Sequence, residues 1–329
     1  MRLRSPTGAA LPTLRTPDDR FDALPGYPFA PNYVEVSHPE SGTLRMHYVD
    51  EGPRDAPSVL LLHGEPSWSY LYRKVIPVLV AAGYRAVAPD HIGFGRSDKL
   101  PEPTDYSYQR HVEWIREFVV SLDLAALTLV GQDWGGAIGL CVVALEESRF
   151  ARLVLSNTML HTLEPELAGQ LAWPAHSDET TSTLAEGLLA WITYSQRTAL
   201  LRPSLFVNGS TVADLPADVA AAYDAPFPDA RYLAAVRQFP ILIPVTRNDP
   251  GARLNRETWR VLERFEKPVL TAFSDSDPTT RGWETIFQRR IPGAAGRPHS
   301  TVADAGHFLQ EDRGEELGRI IVDFLTATP

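Results

Sequence analysis

Short apolar runs alternate along this chain with longer segments of helical periodicity. The runs are Ser58–Leu62, Ala86–Pro89, Leu127–Val130, Arg152–Leu155, Pro268–Ala272 and Ser300–Ala303. Apolar runs separated by helices are typical of strands that are buried on both faces of a parallel sheet. The pattern therefore predicts a mostly parallel central sheet that is flanked by helices.

Two regions depart from this alternation. Near the start, Tyr33–Val36 and Leu44–Tyr48 alternate apolar and polar residues around a break that contains glycine, which predicts an antiparallel hairpin at the sheet edge. Between residues 157 and 229 the strand pattern disappears, and Leu/Ala-rich stretches such as Thr183–Tyr194 are interrupted by prolines. We therefore predict an α/β core formed by residues 1–156 and 230–329, with a helical cap inserted at residues 157–229.

Composition narrows the possible functions. The chain has 329 residues, with 31 Lys and Arg against 41 Asp and Glu, and its net charge of −10 disfavours nucleic-acid binding. Cys141 is the only cysteine, so neither an intrachain disulfide nor a thiolate metal site is expected. The sequence shows no secretory signal pattern and no apolar span of about 18 residues, so we expect a cytoplasmic protein with no membrane segment.

The most informative motif follows the run Leu127–Val130. Gly131-Gln-Asp133-Trp-Gly135 precedes the apolar helical run that begins at Ala137. This is the G-x-nucleophile-x-G turn between a strand and a helix, with Asp133 where lipases and esterases carry serine. An aspartate before a helix can also be an ordinary N-cap, so the motif needs support from other segments.

Three other segments supply that support. His63-Gly-Glu65-Pro follows a strand at the position of an oxyanion loop, so the backbone N–H groups of Glu65 and Trp134 would form a two-donor oxyanion hole. His63 itself is expected to support the loop. Asp304-Ala-Gly-His307 follows the last predicted strand, which makes His307 the candidate base.

The third segment, Phe273-Ser-Asp275-Ser-Asp277-Pro, offers two candidates for the triad acid. We favour Asp277 because the Asp-Pro pair fixes the loop just past the strand, and Asp275 remains the alternative. The resulting order of nucleophile, acid and histidine is the order of α/β-hydrolases.

An aspartate nucleophile selects a particular chemistry. A carboxylate needs no base to attack an sp3 carbon, and the ester that it forms can then be hydrolysed by water activated at His307. The electrophile would be an alkyl halide or an epoxide. An epoxide requires a proton donor for the opening alkoxide, whereas a halide requires only N–H donors, and the indoles of Trp134 and Trp191 favour the halide.

Taken together, these residues resemble the haloalkane dehalogenase family over nearly the whole chain. The stretches that carry the resemblance are RTPDDRFDALPGYPFAPNY, HGEPSWSYLYRKVIP, PDHIGFGRSDK, VGQDWGG, AYDAPFPD, FSDSDP and ADAGHF. The resemblance implies an α/β-hydrolase fold, an Asp133–His307–Asp277 triad, no cofactor or metal, and a small halogenated alkane as substrate, with water as co-substrate and halide as product. A monomer is the simplest expectation.

The resemblance also implies how halide is bound. The subfamily that carries glutamate after the oxyanion His-Gly binds halide with two tryptophans, one that follows the nucleophile and one from the cap. Trp134 fits the first position, and Trp191 is favoured over Trp173 for the second. His91 departs from the family, which more often has an apolar residue there.

Two alternatives remain. An epoxide hydrolase would share Asp133, the histidine and the oxyanion loop, and Tyr194, Tyr223 and Tyr232 could serve as its proton donors. A non-catalytic binding protein of the same fold would usually lack a member of the triad, and none is missing here.

Overall fold

The computed structural model describes residues 13–163, 191–199 and 201–328. The predicted competitor Trp173 and most of the stretch Thr183–Tyr194 lie outside these residues. The strands of the described residues are β1 Asn32–His38, β2 Gly42–Glu51, β3 Ser58–Leu62, β4 Arg85–Pro89, β5 Leu127–Gln132, β6 Phe150–Ser156, β7 Val269–Ser274 and β8 Ser300–Val302.

These strands form one sheet with the order β1-β2-β4-β3-β5-β6-β7-β8. Strands β1, β2 and β4 pair antiparallel, and every pair from β4/β3 onward is parallel. The predicted edge hairpin and the predicted parallel sheet are both confirmed. The predicted runs fell one or two residues short at several strand ends, because polar residues such as Gln132 and Ser156 continue the pairing.

Helices cover both faces of the sheet. The described α-helices are α1 Ile76–Ala81, α2 Tyr108–Ser121, α3 Trp134–Leu145, α4 Pro203–Gly209, α5 Ala217–Asp224, α6 Ala234–Gln238, α7 Pro250–Leu262, α8 Trp283–Arg290 and α9 Leu309–Ala327, and residues 191–197 are also helical. Single 3₁₀ turns lie at Asp18–Phe21, Ser69–Tyr72, Pro103–Asp105, Glu147–Arg149, Ala230–Leu233, Phe239–Leu242 and Pro292–Ala294. No described helix combines the length and the apolarity that a membrane span requires.

Burial explains the apolar runs. Every residue of β3 and β5 is buried, as a strand with helices on both faces requires. The central helix α3 is buried from Trp134 to Val143 and packs on β5. Since the parallel strands all point the same way, their carboxyl ends meet along one edge of the sheet, where loops can bring distant residues together.

The described part of the predicted cap is tied to this edge by polar contacts. Trp68 donates its indole N–H to the carbonyl of Ala222 in α5 at 3.1 Å. The neighbouring Tyr223 hydroxyl binds the carboxylate of Glu311, which also forms a buried ion pair with Arg73. Helix α5 is thereby fixed to the core through two adjacent residues, Ala222 and Tyr223.

Candidate functional site

The nucleophile turn lies between β5 and α3. Asp133 has φ 52° and ψ −128°, a backbone conformation that side-chain-bearing residues rarely adopt. The turn is also too tight for side chains at its glycines, because a Cβ on Gly135 would lie 2.1 Å from the carbonyl oxygen of Leu62. The first turn of α3 therefore lies directly against the end of β3. A Cβ on Gly131 would likewise lie 2.5 Å from Gly136 Cα, so β5 and α3 also approach closely.

The two residues that follow β6 hold this turn in place. The backbone N–H of Asp133 donates to the carbonyl of Asn157 at 2.9 Å, and the Thr158 hydroxyl donates to the carbonyl of Asp133 at 2.7 Å. Both partners directly follow β6. The strained backbone of Asp133 is thus held by hydrogen bonds at both its N–H and its carbonyl oxygen.

The loop after β3 contacts the same carboxylate. The backbone N–H of Glu65 donates to Asp133 Oδ1 at 2.9 Å. A Cβ on Gly64 would lie 2.3 Å from that oxygen, so the close approach requires glycine. Trp134, the second residue of the predicted oxyanion pair, is the first residue of α3. The structure therefore shows the Glu65 N–H bound to the Asp133 carboxylate, and it places Trp134 directly after Asp133. The role of both N–H groups in stabilising an oxyanion stays a prediction.

The histidine faces both aspartates of the predicted triad. His307 Nδ1 lies 3.1 Å from Asp277 Oδ2, and its Nε2 lies 3.5 Å from Asp133 Oδ2. Asp275 is exposed and accepts hydrogen bonds from the backbone of Asp304 and Ala305. The structure thus places Asp277, and not Asp275, against the imidazole ring.

The electrostatics of this trio follow from its burial. Burial opposes ionisation of Asp277, but the His307 ring and hydrogen bonds from Thr280 and Thr279 outweigh it and lower the pKa of Asp277. Burial likewise disfavours the imidazolium, yet the carboxylates of Asp277 and Asp133 raise the pKa of His307 above its ordinary value. The ring therefore lies between two groups that both favour its charged form.

The two tryptophans predicted to bind halide differ in their surroundings. Trp134 is 4% exposed and packs edge-on against Tyr108 and Phe239, and no described residue accepts its indole N–H. Trp191 is 7% exposed, stacks on Phe206 with ring centroids 4.0 Å apart, and donates its indole N–H to Glu65 Oε2 at 3.2 Å. Trp191 therefore belongs to the site through the side chain of Glu65.

The side chain of Glu65 is a second carboxyl group beside the nucleophile. It is 4% exposed, and its Oε1 has no hydrogen-bond partner among the described residues. Burial and the nearby carboxylate of Asp133 raise the pKa of Glu65 well above its usual range. Glu65 is thus neutral under conditions in which an exposed glutamate is charged.

Sequence reasoning missed two residues that touch the histidine. The Gln132 amide nitrogen lies 3.2 Å from both the Nε2 and the carbonyl oxygen of His307. The Asn157 amide donates to the same carbonyl at 3.0 Å and to the carbonyl of Gly306 at 3.0 Å. Both are amides at the carboxyl ends of β5 and β6, and that position is the signal that could have identified them.

The histidines behind the oxyanion loop form a structural pair. His63 Nε2 accepts the backbone N–H of His91 at 3.0 Å, and His91 Nε2 lies 2.9 Å from the carbonyl oxygen of His63. Their rings meet edge to face at 4.4 Å. His63 supports the loop as expected, and the unusual His91 supports His63.

Comparisons with known proteins identify the family of this chain. A family model described as the alpha/beta hydrolase fold matches residues 57–314. A haloalkane dehalogenase from Psychrobacter cryohalolentis is 49% identical over 96% of this chain and 99% of its own length. Haloalkane dehalogenase 1 from Mycobacterium tuberculosis is 46% identical over 96% of this chain and 99% of its own length.

A solved structure is similar over most of the chain. The tetrameric structure of the haloalkane dehalogenase DpaA from Paraglaciecola agarilytica NO2 superimposes with a TM-score of 0.81 at 34% identity. The alignment covers 94% of this chain and 97% of that one. The two proteins therefore share the same fold over most of their length.

Proposed function

This chain belongs to the haloalkane dehalogenase family of α/β-hydrolases, and from that membership we propose that it hydrolyses haloalkanes through a covalent ester on Asp133. The observation that carries the proposal is a carboxylate at the nucleophile turn, with a histidine nitrogen 3.5 Å from it and a second aspartate behind the ring. This arrangement supports the proposal because covalent hydrolysis needs three groups in contact: a nucleophile, a base and an acid that orients the base.

The first step is a displacement at carbon. An Asp133 oxygen attacks the sp3 carbon that bears the halogen, the new C–O bond forms as the C–X bond breaks, and the halide leaves with the bonding electron pair. No proton moves, so this step needs no base. Charge builds on the departing halogen, and the indole N–H groups of Trp134 and Trp191 are the proposed donors that stabilise it.

The second step returns the nucleophile. His307 Nε2 takes a proton from water, and the resulting hydroxide oxygen attacks the ester carbonyl carbon of Asp133. The N–H groups of Glu65 and Trp134 stabilise the oxyanion. When the intermediate collapses, its hydroxyl proton passes to the departing alkoxide, so the alcohol is released and the carboxylate is restored. The His307 imidazolium then gives its proton to solvent. The sum is haloalkane and water converted to alcohol, halide and one proton.

The epoxide hydrolase alternative depends on a free tyrosine hydroxyl near the nucleophile, and two of its three candidates are engaged elsewhere. Tyr223 binds Glu311, and the hydroxyl of Tyr232 donates to the backbone of Arg15 at 3.4 Å. Tyr194 lies next to Trp191, with ring centroids 6.0 Å apart. Tyr194 is therefore the residue on which an epoxide-opening activity would depend.

Product analysis separates the two activities. Purified protein is offered 1-bromobutane, 1,2-dibromoethane and styrene oxide, and halide and diol are measured independently. We expect halide with an equal amount of alcohol and protons from the bromoalkanes, and no diol from styrene oxide. Diol formation without halide release would establish the epoxide hydrolase instead.

Isotope labelling tests the covalent route. In a single turnover in 18O-labelled water, the label should enter the carboxyl group of Asp133, because water attacks the ester carbonyl and not the alkyl carbon. The alcohol from the first turnover should carry unlabelled oxygen. An unlabelled Asp133 together with a labelled alcohol would show direct attack by water. Asp133→Ala should abolish halide release.

The domain boundaries, the cellular location and the oligomeric state are proposals as well. We propose the division into core residues 1–156 and 230–329 with the cap at 157–229, which fits the end of β6 at Ser156 and the helices that follow it. We also propose a cytoplasmic location. We propose a monomer, and light scattering after size exclusion would distinguish it from a tetramer like that of the similar structure.

A further inference from the structure

Gln132 is the last residue of β5 and immediately precedes the nucleophile. Its side chain is fully buried, and its amide nitrogen lies 3.2 Å from His307 Nε2, the nitrogen that must accept the proton of water. Nothing in the two chemical steps above assigns a role to this amide. Its position at the reactive nitrogen of the base is therefore unexplained.

The orientation of the amide is fixed by a second contact. The same nitrogen donates to the carbonyl oxygen of His307 at 3.2 Å, and that carbonyl also accepts the amide of Asn157 at 3.0 Å. If the Gln132 amide group were rotated by 180°, its Oε1 would face the carbonyl oxygen of His307, and two acceptors would meet with no proton between them. The Gln132 Oε1 has no partner among the described residues, so the orientation is held by the donors alone.

A fixed donor at Nε2 determines the state of the ring. An N–H group that points at Nε2 forms a hydrogen bond if that nitrogen carries a lone pair. The same N–H group repels a proton on that nitrogen, so it disfavours the Nε2–H forms of the ring. The imidazole proton is then on Nδ1, where it is donated to Asp277 Oδ2 at 3.1 Å. The contact at 3.2 Å is long for a hydrogen bond, so the O–H of the hydrolytic water can replace it at the same lone pair.

This donor opposes the groups that favour the imidazolium. The charged or titratable groups that face His307 are Asp133 on the nucleophile turn, Asp277 after β7 and Glu65 on the oxyanion loop. The two aspartates favour a charged ring, and an imidazolium cannot act as a base. Among the described residues in hydrogen-bonding contact with the ring nitrogens, Gln132 supplies the donor.

We propose that Gln132 is a positioning residue that holds His307 as the neutral Nδ1–H tautomer, with the Nε2 lone pair directed to the hydrolytic water. The proposal rests on the proposed function, because it concerns the base of the second step. It predicts that loss of the amide impairs ester hydrolysis and leaves the first step unchanged.

The kinetic experiment compares the two steps across pH. Gln132→Met keeps the length of the side chain and removes the donor. The rate of halide release in the first turnover should stay within about twofold of the wild type, because that step needs no base. Ester hydrolysis needs neutral His307, so its rate rises as pH increases through the pKa of that ring; we call this rise the acid limb. Without the Gln132 donor the ring should hold its proton more tightly. The acid limb should therefore move up by about one pH unit, and the rate near pH 7 should fall about tenfold.

The matched control is Asn157→Gly. Asn157 donates to the same carbonyl without touching the ring, and glycine tolerates its positive φ of 39°. The control should lose stability, with the acid limb unmoved. An acid limb that is the same in Gln132→Met and the wild type, or that moves equally in both variants, would overturn the proposal.

Nitrogen-15 NMR of histidine-labelled protein gives a readout that needs no substrate. Signals that are absent from His307→Gln assign the ring. Above the acid limb, the wild type should show a protonated Nδ1 and an unprotonated Nε2, and Gln132→Met should titrate at higher pH. An Nε2–H tautomer in the wild type would refute the proposal. Absence of halide release would instead refute the proposed function, and the NMR result would still stand.

Discussion

The core half and the cap half of the site are held by different means. On the core side, Asp133 contacts the backbone N–H of Glu65, and its own backbone is fixed by Asn157 and Thr158. On the cap side, Trp191 is placed by stacking on Phe206 and by one hydrogen bond to a side chain. Each core contact uses at least one backbone group placed by a strand end, whereas the cap contacts join side chains only, which can be replaced one residue at a time.

This difference separates chemistry from selectivity. In the proposed mechanism the displacement depends on Asp133 and the hydrolysis depends on His307 and Asp277, so changes to these three side chains should stop or strongly slow one step. The cap supplies a donor and apolar surface, so changes there should alter rates and halide affinity while both steps continue. The following substitutions test this division, from the largest expected effect to the smallest.

His307→Gln should divide the reaction in two. The first step needs no base, so each active site should release about one halide and then stop. A peptide that contains Asp133 should be heavier by the alkyl group, as measured by mass spectrometry after rapid quenching. Continued turnover in this variant would locate the base elsewhere.

Asp277→Asn should impair the second step by losing both the orientation of the imidazole and the stabilisation of its charge. In a serine protease the equivalent change costs about 10⁴-fold, and we expect a loss approaching that in ester hydrolysis. Asp275→Asn is the matched control, since Asp275 is exposed and its contacts are with loop backbone. Equal losses in the two variants would contradict the assignment of Asp277.

Trp134→Phe removes an indole N–H that no described residue accepts, whereas Trp191→Phe removes one already shared with Glu65. Loss of one such donor costs about a hundredfold, so we expect that effect for Trp134 and a smaller one for Trp191 in the rate of halide release. Bromide quenching of tryptophan fluorescence should weaken in both variants. Trp173→Phe should retain activity and quenching, and the opposite result would move the cap donor to Trp173.

Glu65→Gln should have the smallest effect and the clearest dependence on pH. The pKa of Glu65 is raised, so the group is neutral below that pKa and becomes charged as pH rises through it. The new charge would repel halide, so bromide affinity in the wild type should fall with rising pH. The glutamine side chain cannot ionise, so the bromide affinity of this variant should fall less as pH rises than the affinity of the wild type does. Equal pH profiles would show that Glu65 does not control halide binding.

Much of the core half could be predicted because its signals are local in sequence. The apolar runs identified the strands, and glycines on both sides of Asp133 identified a turn that only small neighbours permit. The choice between Asp275 and Asp277 rested on one proline, yet the structure sets only Asp277 against the ring. Each of these features depends on residues within one short segment.

Contacts between distant segments could not be predicted in this way. Gln132 has no motif of its own, and its contact with His307 exists only because β5 and the loop after β8 meet at one edge of the sheet. The bond from Trp191 to Glu65 likewise joins the cap to the loop after β3. His91 departs from the family's usual apolar residue, and only the structure shows that its backbone and its ring are both bound to His63.

The distribution of the site along the sheet has a consequence for how activity is acquired during folding. Glu65, Asp133, Asp277 and His307 follow β3, β5, β7 and β8, so no part of the chain shorter than residues 65–307 contains all four. Strand pairing between distant segments is slow because the intervening chain must be ordered first. Enzyme activity during refolding should therefore recover after helical circular dichroism does, and it would report the docking of the final strand.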